Sequence, residues 1–376
     1  MKRVEFKSRS FFQWTLIVLT LFCVVLLLCS YAACFISPVK FSYLAFFGIA
    51  YPFILVVNLF FVFLWLFLWK RFIWVPFFAI LLGLPLINAL IRIDFNPEQF
   101  SSGSIKVMTL NIHNLIGAEI NKKDKTIRSK VTSFFQQVKP DLICFQEFRI
   151  KPSDTLVFFT NFRQATQSNY YYYKNYNERN DSLKVDALAT FSKFPIINSS
   201  YLRYPEKHVF AIYSDISIME EKIRVYNVHL ESIHFANDDY SFYSSLSDNE
   251  LENVKLVPGI TKIIEKLRKA FILRAKQAEV LRTSIDSSPY PVIICGDFND
   301  TPSSYTYNNL TTHLYDSFKK AGGGFLGSTY AGSFPAFRID YILYDKRFKV
   351  YEYQKYDVDL SDHYPVSVYL NINPSQ

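Results

Sequence analysis

Three stretches near the start of the chain, residues 11–36, 41–69 and 72–93, are long, apolar and almost free of charge. A helix crosses a hydrocarbon core with roughly 20 apolar residues, so each stretch is long enough to span. Three such stretches in about ninety residues leave no room for a soluble core there. Residues 1–93 are therefore expected to be a transmembrane anchor. Much of the chain's 50% hydrophobic and 18% aromatic content is concentrated there.

A basic start (Lys2, Arg3, Lys7, Arg9) followed by an apolar run also describes a signal peptide, and Tyr31-Ala32-Ala33-Cys34 faintly suggests a lipoprotein cleavage site. Two further apolar stretches follow at once, which favours an anchor. Orientation follows from basic residues near the spans. Lys2, Arg3, Lys7, Arg9, Lys70 and Arg71 fall on one side, and Lys40 and Arg92 on the other. The six-residue side should be cytoplasmic, which places everything after Arg92 on the extracytoplasmic side.

The polar segment DFNPEQFSSGS, residues 94–104, reads as a linker. The remainder, residues 105–376, is long enough for one substantial core. Of the chain's 41 basic and 33 acidic residues, eight and three precede Ser104, so the rest carries only +3. That is not the strong basic footprint of a dedicated nucleic-acid binder. Cys144 and Cys295 sit inside apolar runs, and no cysteine spacing suggests zinc or a disulfide framework.

Beyond the linker, strand-length runs rich in Val, Ile, Tyr and Phe recur: KVMTL (106–110), DLICF (141–145), KIRVYNV (222–228), PVIIC (291–295), DYILY (340–344) and VSVYL (366–370). Helical patterns at 120–138 and 258–285 lie between them, so the class is α/β or α+β. Four runs end in a group suited to a metal or a phosphate: Asn111, Glu147, His229, and the pair Asp297 and Asn299. Asp340 opens a fifth run, and Asp362 and His363 precede a sixth. Singly, an Asp or Asn after a strand is a turn residue. Six strand ends carrying such groups together point to a shared cleft on a rigid scaffold.

The ordered set TLNIH, DLICFQE, YNVHL, CGDFND, RIDYIL and SDHYPV resembles the endonuclease/exonuclease/phosphatase superfamily over roughly residues 104–372. The pairing of GDFN with SDHYP is specific, whereas NIH and NVHL are weak alone. The resemblance implies a four-layer α/β sandwich with two central mixed sheets and active-site loops along one edge. It implies that Asn111 and Glu147 form the first metal site, Glu147 being the principal Mg²⁺ ligand, with Asp362 the second carboxylate on that metal. It further implies that His229 and His363 face the phosphate, that Asp340 orients His363, and that Asp297 and Asn299 handle the attacking water and a phosphate oxygen.

The chemistry is consistent with those residue types. A phosphoester is anionic and repels hydroxide, so its hydrolysis needs charge neutralisation and an in-line water. Hard cations such as Mg²⁺ or Mn²⁺ take oxygen ligands, and a carboxylate beside an imidazole favours the cationic ring. The expected function is a membrane-anchored, divalent-metal-dependent phosphoesterase acting on a small or lipid-linked phosphoester. The alternative is an extracytoplasmic nuclease on DNA or RNA, and a non-catalytic binding module on the same fold is a third reading.

Four segments stay open on sequence alone. NYYYYKNY (169–176) alternates as a sheet strand does, though it could stack bases. AGGGFLGSTY (321–330) is a loop leading towards Asp340, and 245–259 reads as an insertion. The following helical stretch, with Lys262, Lys266, Arg268, Lys269, Arg274, Lys276 and Arg282, is a solvated face or a contact for anionic lipid.

Overall fold

The structure, a computed structural model, describes residues 11–68, 71–92, 103–113, 122–150, 152–176, 185–205, 208–233, 256–323, 327–332 and 337–372. Of the expected linker only residues 103 and 104 fall among these, and most of the 245–259 insertion and residues 324–326 of the 321–330 loop lie outside them.

Strands β1 (Ile105–Asn111), β2 (Leu142–Ile150), β3 (Tyr170–Asn175), β4 (Val185–Ser192), β11 (Lys349–Lys355) and β12 (Val366–Asn371) form one sheet in the order β11-β12-β1-β2-β4-β3. Strands β5 (Ile196–Arg203), β6 (Val209–Ile218), β7 (Glu221–His229), β8 (Val292–Asp297), β9 (Leu314–Asp316) and β10 (Asp340–Asp345) form the other, in the order β5-β6-β7-β8-β10-β9. Each sheet has one parallel pair at its centre, β1 with β2 and β7 with β8, and antiparallel neighbours elsewhere. Both sheets are mixed, as expected. The tyrosine run lies in the edge strand β3, so its alternation reports a sheet strand.

Period-two alternation sorts the buried residues into layers. Ile105, Val107, Cys144, Ile223, Val225, Ile293, Cys295 and Ile342 point between the sheets into one apolar cluster. Met108, Leu110, Ile143 and Phe145, on the opposite face of the first sheet, pack with Val131 and Phe135 of α5 (Lys122–Val138) and Phe159 and Phe162 of α6 (Pro152–Thr166). Tyr226, Val228, Ile294 and Leu343 do the same with Ala278, Leu281 and Ile285 of a long helix, Leu256–Asp286. The layers run helix, sheet, sheet, helix. Cys144 and Cys295 are fully buried free thiols in the central layer.

Before the sheets come α1 (Phe11–Ala33) and α2 (Leu44–Leu68), which are long and apolar enough to cross a membrane. The third expected span is not one helix. Residues 72–92 form α3 (Trp74–Leu82) and α4 (Leu84–Leu90), interrupted at Gly83. Pro85 has no N–H to extend the helical hydrogen bonding across the break. The Tyr31 hydroxyl of α1 donates to the Ala79 carbonyl at 3.0 Å beside it. Among the described residues two helices, not three, therefore qualify as candidate spans. They are joined by polar contacts, Trp65 Nε1 to Thr20 Oγ1 at 3.0 Å and Asn58 Nδ2 to the Cys23 carbonyl at 3.1 Å. Their outer faces remain apolar and exposed, as at Phe67, 86% accessible.

The helix Leu256–Asp286 is α7; the short α8 (Tyr305–Leu310) and α9 (Ser317–Ala321) follow. Arg274 departs from the solvated face expected of α7. It is wholly buried, with Nε 3.3 Å from Asp300 Oδ2 and Nη1 donating to the Glu231 carbonyl at 3.0 Å. Lys262 and Lys269 are exposed, as expected.

Candidate active site

The inward rows of the strands become polar towards one edge of the sandwich. In β1 the row reads Ile105, Val107, Thr109, Asn111; in β7 it reads Ile223, Val225, Asn227, His229; in β8, Ile293, Cys295, Asp297. The parallel pairing of β7 with β8 sets His229 opposite Asp297, and the antiparallel pairing of β10 sets Asp340 opposite Asp297 from the other side. Gly296 permits this register. A Cβ there would meet the Val228 carbonyl oxygen at 1.9 Å, so no other residue could carry β8 past β7 at this point.

Asn111 bridges the two sheets. Its amide Nδ2 donates to Asp297 Oδ2 at 3.0 Å and Glu147 Oε1 at 3.2 Å, while Oδ1 accepts the His113 N–H at 3.0 Å. This orientation is self-consistent, because a flipped amide would put oxygen against two carboxylates. Asn111 therefore meets both carboxylates as a donor.

Glu147 sits where β2 loses register with β4, between Phe145 and Phe148, with φ of +49°. The Tyr176 hydroxyl accepts its N–H at 2.8 Å, and the Tyr176 ring lies 5.4 Å from that of His229. Burial alone raises the Glu147 pKa, but hydrogen bonding to His113, the nearby His229 ring and the Asn111 amide outweigh it and bring the carboxyl down to about 2. His229 Nε2 is 3.4 Å from Glu147 Oε1 and 3.8 Å from Asp297 Oδ2.

Asp297 is 1% exposed. Burial pushes its carboxyl up to about 6, against the opposing pull of His363, with Asp340 reinforcing the rise. Its Oδ1 accepts the Asn299 N–H at 2.7 Å. Asn299, at φ of +52°, turns its own amide to donate to the Leu230 carbonyl at 3.0 Å. His363 Nδ1 is 2.9 Å from Asp340 Oδ2, and its Nε2 is 3.8 Å from Asp297 Oδ2. Burial disfavours the imidazolium, yet Asp340 and Asp297 reverse this and raise the ring to about 10. His363 is therefore cationic at neutral pH.

Asp362 is set apart from this buried group, its side chain 31% exposed. It meets Glu147 through His113, whose Nδ1 lies 3.5 Å from Glu147 Oε2 and 3.6 Å from Asp362 Oδ2. The two carboxylates thus converge on one point, which a half-exposed imidazole fills. Oxygen donors converging in this way fit a hard divalent cation. Asp297, Asp340 and His363 also present ligand atoms within 4.8 Å of one another, but there the imidazole nitrogen nearest Asp340 is already hydrogen-bonded.

All eight expected residues lie along one edge of the sandwich. Three others were not expected. His113 stands inside the quoted TLNIH motif, and its position two residues past a strand end was the available signal. Tyr176 gave no signal among its neighbouring tyrosines. Asp300, next to Asn299, is buried against Arg274 rather than turned to the cleft.

A family model described as "Endonuclease/Exonuclease/phosphatase family" matches residues 108–363. The chain belongs to that family. A second, described only as a domain of unknown function, matches residues 11–90. No curated protein matches the chain. Among solved structures, a family protein from Leptotrichia buccalis is similar at 17% identity, covering 70% of this chain and 98% of its own, with a TM-score of 0.48. A mannosyl-6-phosphatase from Bacteroides thetaiotaomicron is 18% identical over 71% and 99%, at 0.47. The human Nocturnin catalytic domain is 18% identical over 74% and 96%, also at 0.47. The family is one of hydrolases of phosphoester bonds.

Proposed function

We propose that this chain is a membrane-anchored, divalent-metal-dependent phosphoesterase, with residues 1–93 its anchor, in which the broken pair α3–α4 makes the third crossing, and 105–376 its catalytic domain on the extracytoplasmic side. The observation that carries the reading is the meeting of Glu147, His229, Asp297, Asp340 and His363, from both sheets, around one point. Glu147 and Asp362 would hold Mg²⁺ or Mn²⁺, which when bound neutralises phosphoryl charge and polarises the phosphorus–oxygen bond. Asp297, with its pKa near 6, accepts the proton of the attacking water. Asn299 and Asn111 fix the Asp297 carboxylate. His363, kept cationic and oriented by Asp340, donates to a phosphate oxygen, and His229 donates from the side of Glu147.

The exposed apolar faces of α1 and α2 and the asymmetry of basic residues support the anchor and its orientation. The small net charge of the catalytic part favours a small or lipid-linked phosphoester over a polymeric nucleic acid. The purified full chain in detergent should hydrolyse a generic phosphodiester, lose turnover in excess chelator and regain it with Mg²⁺ or Mn²⁺. Undiminished turnover in chelator would overturn the metal assignment. Phospholipid vesicles, inositol phosphates, DNA and RNA, compared in parallel, choose the substrate class; efficient nucleic-acid degradation alone would reverse the preference. A reporter fused after Gln376 that works only in the cytoplasm would overturn the topology.

A further inference from the structure

Among the contacts that dock the helices before the sandwich to it, two lie beside the candidate active site. At the first, Ser303 Oγ donates to the Gly48 carbonyl of α2 at 2.8 Å. The fit is close enough that a Cβ on Gly48 would meet the Ser303 carbonyl oxygen at 2.6 Å. Ser303 is 1% exposed and closes the short loop that begins with Asn299. At the second, Arg338 donates from Nη2 to the Ala89 carbonyl, in the last turn of α4, at 2.8 Å. The same nitrogen lies 2.8 Å from Asp316 Oδ2, and the guanidinium is packed over Phe318 and Tyr341. Arg338 is two residues before Asp340 in the chain. The Tyr341 hydroxyl joins the two places, lying 2.9 Å from the Asp300 carbonyl and 2.7 Å from that of Arg338. An edge contact of Phe46 with Phe271 of α7, centroids 5.1 Å apart, closes the same interface.

We infer that the helical segment is a working part of the catalytic site, and that Ser303 and Arg338 are positioning residues through which α2 and α4 hold Asn299 and Asp340 in place. A surface tether would need none of these contacts. The sandwich instead spends a buried guanidinium on a helix-end carbonyl that has no intrahelical partner. The two segments so held carry the water-handling pair and the carboxylate that orients His363. This inference rests on the phosphoesterase reading for its kinetic consequence, though not for its structural one.

The test is made on the full chain in detergent, from the helical side first. Gly48→Ala alters no residue of the sandwich and raises helix propensity, so α2 still forms while its seat on Ser303 is forced open. With bis(4-nitrophenyl) phosphate and Mg²⁺, kcat should fall about tenfold or more, against a ceiling of about 100-fold for a displacement of ~1 Å. KM should change less than about twofold, since loosening the loop misplaces reacting groups more than it weakens substrate binding. Arg338→Met should do the same, and Arg338→Lys, which can still reach one acceptor, should recover part of the loss. Amide hydrogen exchange over 297–303 and 338–342 should accelerate in Gly48→Ala, with the rest of the sandwich unchanged. Unaltered kcat and exchange in a folded Gly48→Ala protein would overturn the inference. If the wild-type chain cleaves no phosphoester, the functional reading fails by itself, and the exchange comparison still decides whether the helices hold the two segments.

Discussion

The two ends of the space between the sheets are built on the same strands and have opposite contents. At one end Ile105, Val107, Leu142, Ile223, Val225 and Ile293 form a buried apolar layer. At the other, continuing the same inward rows, stand Asn111, Glu147, His229, Asp297 and Asp340. Between them lies a neutral polar layer: Gln146 Nε2 donates to Asn227 Oδ1 at 2.7 Å and to Thr109 Oγ1 at 3.1 Å. Asn227 Nδ2 in turn donates to the Phe145 and Ala189 carbonyls, both at 3.0 Å. Alternation puts a side chain into the interior without regard to its polarity. What differs is that polar interior groups need partners: the middle layer finds them within itself and in the Phe145 and Ala189 carbonyls, and the upper groups find them in one another. The lower end gives cohesion, the middle sets the alignment of the sheets at the bulge before Glu147, and the upper end has chemistry that would be costly anywhere else in the core.

Removing groups at the upper end should give the largest effect. Asp297→Ala or His363→Ala is expected to lower turnover by about 10²–10⁴-fold with little loss of thermal stability, because Asp297 is held in a setting that disfavours its charge. Activity assays paired with thermal melts check this; a melt that collapses along with activity would erase the contrast between the two ends. At the lower end the balance should invert. Ile223→Ala should cost about 2–5 kcal/mol of folding stability in denaturant titration, with kcat per folded molecule nearly unchanged.

The middle layer should fall between them. Asn227→Leu leaves Gln146 and two buried carbonyls short of a partner, at about 1–3 kcal/mol. Because one of those carbonyls belongs to Phe145, at the bulge, kcat should fall as well. A purely structural middle layer would show the stability loss alone. The mildest test is pH. Asp297 must be deprotonated to take a proton, so turnover should decline about tenfold per unit below its pKa of about 6. His363 must keep its proton, so turnover should decline again above about 10. A profile flat down to pH 4 would remove Asp297 from the base role.

Much of this was legible in the chain, for a physical reason. Strand ends carry their side chains to the edge of a sheet whatever the sheet order, so Glu147, His229, Asp297 and Asp340 could be picked out from where apolar runs stop. The apolar character of 11–36 and 41–69 is likewise a property of composition, and the helices followed. Strands β4, β5, β6, β9 and β11 were not picked out, since half-buried strands such as IINSSYLR carry a mixed pattern. The third apolar stretch was long enough to count as a span, yet length does not register a break at Gly83 and Pro85.

Sequence by itself determined which residues could do chemistry and which segments avoid water, because side-chain type and local periodicity are written residue by residue. Only the tertiary structure decided who meets whom. The bulge at Glu147, the Tyr176 hydroxyl beneath it, the inward-turned amide of Asn111, the burial of Arg274, and the seating of Gly48 and Ala89 against Ser303 and Arg338 all join residues far apart in the chain. Such contacts depend on how two sheets and several helices pack in three dimensions, and distance along the chain carries no record of that.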